Sequence, residues 1–177
     1  MKQLLLILTF ILNLGIPAKP QSSMFTIDRP SIRDIDSIES ANNGKTFSYT
    51  GITFSVSKGY FPNSEKFSLG QPINSNRLTT PIKTTLSYYY SLPDSIISLI
   101  EYSWDVSMKD SSLLAGIFEN NSKQFYRLFS NAGKTETEDH GSWTQKTTIW
   151  EDQRKYIKQF IVIGSYTYRV RVLISWK

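Results

Sequence analysis

The chain has 177 residues, with 20 Lys and Arg against 15 Asp and Glu, one histidine and no cysteine. These counts exclude disulfides, thiol nucleophiles, iron–sulfur clusters, cysteine zinc sites and any two-histidine metal site, so no cofactor and no metal are expected. The excess of five positive charges is spread along the chain rather than gathered on one stretch, which argues against a nucleic-acid footprint.

The first eighteen residues carry the clearest signal. Lys2 precedes an apolar run from Leu4 to Leu14, and Gly15-Ile16-Pro17-Ala18 offers a helix breaker and a small residue for cleavage. This is the pattern of a secretory signal peptide over 1–18. The run is too short to span a bilayer, which takes about 20 apolar residues. The expectation is a secreted or periplasmic protein with no membrane span in the mature chain. Asn120-Asn121-Ser122 is a glycosylation sequon that acts at Asn120 only in a host that glycosylates exported proteins.

Residues 19–45 read as a polar N-terminal segment, in which Ile32, Ile35 and Ile38 at spacing three mark a short helix. A single α+β domain is expected over 46–177. Residues 46–58 alternate, with Ile52, Phe54 and Val56 on one face, as a half-buried strand does. Gly59 to Pro81 reads as a long turn-rich connection. Residues 82–91 and 96–106 read as a hairpin about Leu92-Pro93-Asp94-Ser95.

The period then changes. Leu114, Ile117, Phe118, Phe125, Leu128 and Phe129 follow helical spacing, with Asp110 or Ser111 at the start and Asn131-Ala132-Gly133 as the stop. Glu119-Asn120-Asn121-Ser122 is a point where this helix could divide. Residues 143–151, 154–163 and 166–176 read as three strands, joined by turns at Asp152-Gln153 and, as a type II′ turn, at Gly164-Ser165. The expected fold is therefore α+β: an antiparallel sheet ending in a three-stranded meander, with one main helix packed on one face. Its last seventy residues resemble, at the level of fold alone, the arrangement in small exported inhibitors and envelope-assembly modules.

Motifs for catalysis fail on inspection. Gly-Lys-Thr occurs at 44–46 and 133–135, but the glycine that a phosphate-binding loop needs five residues earlier is Glu39 or Leu128. Ser55-Val56-Ser57-Lys58 has the Ser-x-x-Lys spacing, yet an alternating strand sends Ser55 and Lys58 to opposite faces. Glu136-Thr137-Glu138-Asp139-His140 lacks the regular spacing of a cation loop and reads as a solvated connection.

The meander offers more. Its last strand should turn Tyr166, Tyr168, Val170, Val172, Ile174 and Trp176 toward the helix. Arg169 and Arg171 then point away, among Trp143, Tyr156, Lys158 and Phe160. The Gly164-Ser165 turn would set Phe160 opposite Arg169 and Lys158 opposite Arg171. Like charges directly opposite destabilise a sheet, so an acidic partner is the functional reading of that face. These six residues are the candidate binding site. The expected function is a non-catalytic exported binding or interaction protein, its partner an acidic protein or an envelope component. The alternatives are an exported hydrolase with unidentified acids or a carbohydrate-binding module.

Overall fold

A computed structural model describes residues 24–48, 60–62, 64, 71–79, 82–91 and 94–177. A 3-10 turn at Ile32–Asp34 leads into helix α1 (Ile35–Ala41), then strands β1 (Gly44–Phe47), β2 (Ile73–Arg77), β3 (Thr84–Tyr90) and β4 (Ile97–Val106). Helix α2 (Ser111–Phe129) follows, then β5 (Lys134–Asp139), β6 (Trp143–Glu151), β7 (Lys155–Gly164) and β8 (Tyr168–Trp176). The strands form one antiparallel sheet in the order β1-β2-β3-β4-β8-β7-β6-β5. Among the described residues the chain thus runs the same course twice, a helix followed by four strands in consecutive order. The fourth strand of each course meets the other at the centre.

Among the described residues both helices lie on one face, where the apolar residues of β3, β4, β6, β7 and β8 point. On α2 the buried residues are Leu114, Phe118, Asn121 and Phe125, a single stripe at helical spacing. They meet Ile100, Tyr102 and Trp104 of β4, Val170, Val172 and Ile174 of β8, Ile157 and Ile161 of β7 and Trp150 of β6. Burying each large apolar side chain of this kind contributes about 1.5–3 kcal/mol. Gln159 of β7 faces the helix as well, and its Nε2 donates to the Phe118 carbonyl (2.8 Å).

The segment before α1 belongs to the same core. Phe25 is buried and its ring meets those of Tyr102 and Phe125, with centroids at 4.9 and 4.7 Å. Ile35 of α1 is buried in the same cluster. The isoleucines at spacing three thus mark a 3-10 turn running into a helix.

The structure is mixed α+β and mostly sheet, and several expectations give way. The run after α2 is four strands of an eight-stranded sheet, not a closing three-stranded meander. The added strand is β5, whose six residues are all exposed at the sheet edge. The acidic stretch read as a loop is therefore mostly strand, and with no apolar residue to bury it gives no alternation to read. β2 lies inside the connection expected to be turn-rich. α2 is one helix, undivided at Glu119–Ser122.

The residue that ends α2 in left-handed conformation is Ser130 (φ 56°), not Gly133. Gly133 has φ 71° and serves β6 instead: a Cβ there would come within 2.8 Å of the Ile149 carbonyl and the Trp150 ring. The signal segment 1–18, most of the strand expected at 46–58, and Ser55 with Lys58 lie outside the described residues.

Candidate functional site

The face away from the helices divides into two parts. Near the centre, Leu99 of β4 and Leu173 of β8 pack under Phe61, with Tyr60, Tyr89 and Phe160 around them. Tyr60 and Phe61, before β2, cover this part, whereas Met24, Phe25 and Ile27 pack on the helix face. Burial, with Glu101 beside it, pushes the Tyr89 hydroxyl up to about 12. Toward β6 and the β7–β8 turn the face opens into a groove of about 470 Å³.

The groove follows from the register. Gly164 N donates to the Thr167 carbonyl (2.9 Å), so the two residues at the tip are Ser165 and Tyr166. Pairing then runs Ile163↔Tyr168, Val162↔Arg169 and Phe160↔Arg171, two residues from the expected register. A two-residue shift keeps every side chain on its face and changes only its partners. No residue of this turn has positive φ, so a type II′ turn, which demands it at its first central position, is not formed. The turn before β7 shifts in the same way, since Asp152 N donates to the Lys155 carbonyl (3.0 Å) and Glu151 pairs with Tyr156.

The like-charge pair expected on this face does not exist. Lys158 lies opposite Leu173, and its ammonium stands 5.7 Å from the centroid of Phe160, the ring expected to meet Arg169. Arg171 is 12% exposed and bound by acids of β4. Its Nε lies 2.9 Å from Glu101, and Nη1 and Nη2 donate to the two oxygens of Asp105 at 2.9 and 3.1 Å. Tyr156 is half-buried between Glu151 and Ser175, four residues along β7 from Phe160 and outside the groove.

Of the six candidates, Trp143, Phe160 and Arg169 line the groove together. With them stand Gln145, Val162, Gly164 and Tyr166. Tyr166 is 98% exposed at the turn, not directed at the helix as its place in the alternation suggested. Trp143 lies across from Gly164, and a Cβ on that glycine would meet the Trp143 Cβ at 2.6 Å, so the missing side chain leaves the floor open. His140 stacks face to face on the Trp143 ring at 3.7 Å and 19°, and its Nε2 is 3.2 Å from Glu138. Ser165 N donates to the Ser142 carbonyl (3.1 Å) and ties the two hairpin tips together.

Among the described residues, Arg169 is the one charged residue of the lining. Its Nε is buried and lies 3.5 Å from Asp105 Oδ1 without a hydrogen bond, while both oxygens of Asp105 accept from Arg171. The groove therefore joins three aromatic rings to a guanidinium that shares Asp105 with Arg171, which has Glu101 as well. Gln145 and Tyr166 escaped the sequence reading because their part in the groove depends on where the turn sits. Comparison with protein-family models, with curated protein sequences and with solved structures found no match.

Proposed function

We propose that this chain is an exported, non-catalytic binding protein, secreted or periplasmic, that engages an envelope component through the groove beside the β7–β8 turn. The observation that carries this reading is the groove itself. Trp143, Phe160 and Tyr166 present ring surface there, and Arg169 lines it beside them, its buried Nε 3.5 Å from Asp105. Aromatic anchors beside an arginine are the side chains that dominate recognition energetics. Among the described residues the lining holds no carboxylate and no histidine, so it offers no pair for general acid–base chemistry. The basic n-region and apolar run before Ala18 support export.

A photoreactive residue placed at position 166 should cross-link to host envelope material. The same residue at exposed Glu119 on α2 should not, and Trp143→Ala should abolish the adduct at 166. Equal labelling from both positions, or none from 166, would overturn the reading. Export is checked in the same preparation: protein in the cytosolic fraction that still begins at Met1 would contradict it.

A further inference from the structure

The chemistry of the groove also selects among envelope components. The geometry points to an acidic saccharide, a pyranose bearing a carboxylate, as the ligand; this rests on the groove being the binding site. A sugar ring has an apolar face of C–H groups and a polar rim. The apolar face packs on indole or phenol rings, and His140 stacks on one face of the Trp143 ring at 3.7 Å and 19°. The rim meets side chains able to bond hydroxyls: Gln145, whose Nε2 donates to Thr147 Oγ1 (3.0 Å), leaving its carbonyl oxygen to accept, and Thr167.

The carboxylate is matched by Arg169. Arg171 is held by both Glu101 and Asp105, whereas Arg169 has Asp105 alone, at 3.5 Å from its buried Nε, and its two terminal nitrogens make no hydrogen bond among the described residues. Planar bidentate binding of a carboxylate is the use to which an arginine fork is best fitted. One cation suits a monoanionic sugar. A phosphate dianion is ordinarily met by more than one donor group or by a nest of backbone amides, and an acidic peptide would leave the ring surface poorly filled.

The test uses hexasaccharides of galacturonate, of mannuronate and of the glucuronate-containing hyaluronan, titrated calorimetrically into the full chain. The control is the methyl ester of the galacturonate oligomer, which keeps the rings and removes the charge. At least one acidic oligomer should bind with a dissociation constant below about 1 mM. Tyr166→Ala, whose side chain contributes nothing to the core, should weaken binding about threefold to tenfold, and Trp143→Ala more. Arg169→Gln should bring the acidic oligomer down to the level of its ester.

No binding by any acidic oligomer overturns the inference, as does an ester that binds equally well to the unaltered chain. Binding unaffected by Tyr166→Ala and Arg169→Gln overturns it too. If hexaglutamate or adenosine monophosphate binds in place of sugar and responds to Trp143→Ala, the ligand class is wrong while the groove stands. Absence of cross-linking from position 166 would remove the groove itself.

Discussion

Arg77→Met should lower the unfolding free energy by about 3–5 kcal/mol at neutral pH, because it strands a buried carboxylate. Glu39 and Arg77 are each 1% exposed. Arg77 Nη2 lies 2.5 Å from Glu39 Oε1, its Nε donates to both carboxylate oxygens, and its Nη1 donates to the Met24 carbonyl (2.6 Å). Ser75 Oγ and the Tyr88 hydroxyl also donate to Glu39. Burial pushes the Glu39 pKa up, but these hydrogen bonds and the charge of Arg77 together hold it below its ordinary 4.5.

The pH dependence has a definite sign. A carboxyl depressed on folding contributes stability that is present above about pH 4.5 and is lost as the pH falls through the lower folded value. Without Arg77 the buried carboxyl is raised instead, so acidification then stabilises the variant relative to neutral pH. Urea melts of the two proteins between pH 3 and 7 should therefore change in opposite directions, to the extent that Glu39 governs the slope. The double variant Glu39→Leu, Arg77→Met should recover much of the loss, since it leaves no unpaired charge.

Trp150→Ala should cost about 3–5 kcal/mol by removing the largest fully buried side chain. Its ring meets Phe125 of α2 at 5.1 Å, and its Nε1 donates to the Asn131 carbonyl (3.3 Å) just past the end of that helix. The residue thus fastens the end of α2 to β6 from both sides. Trp150→Phe keeps the ring contact and loses the hydrogen bond, so its cost should be clearly smaller in the same denaturant series. Equal costs for the two would assign the main role to the Nε1 bond.

The faces of β6 to β8 could be read from the sequence because both signals there are strong. Val170, Val172 and Ile174 want burial, and Arg169 and Arg171 do not. Partners across those strands could not be read. They depend on which two residues occupy the turn, and with no positive φ to demand glycine or asparagine, Ser165-Tyr166 looks no more like a turn than Gly164-Ser165. β2 was hidden for a different reason. In Ile73–Arg77 the inward residues include Ser75 and Arg77, which polarity assigns to solvent, and only Glu39, arriving from α1, makes them interior. Trp143, Phe160 and Arg169 were legible because they face away from the helix. Tyr166 was not, since its exposure comes from the turn.

The strand order sets a condition on how the molecule is made. β8 comes after every other strand in the chain, yet it lies in the middle of the sheet, with β4 on one side and β7 on the other. The seam it closes joins Leu99 to Ser175 and Val106 to Tyr168. Until β8 has formed, neither half has its central neighbour, and β4 lacks the strand that pairs along its far edge. Such long-range pairing forms late, because loop closure must precede any contact that rewards it. The topology therefore makes β8 the strand that joins the two halves into one sheet.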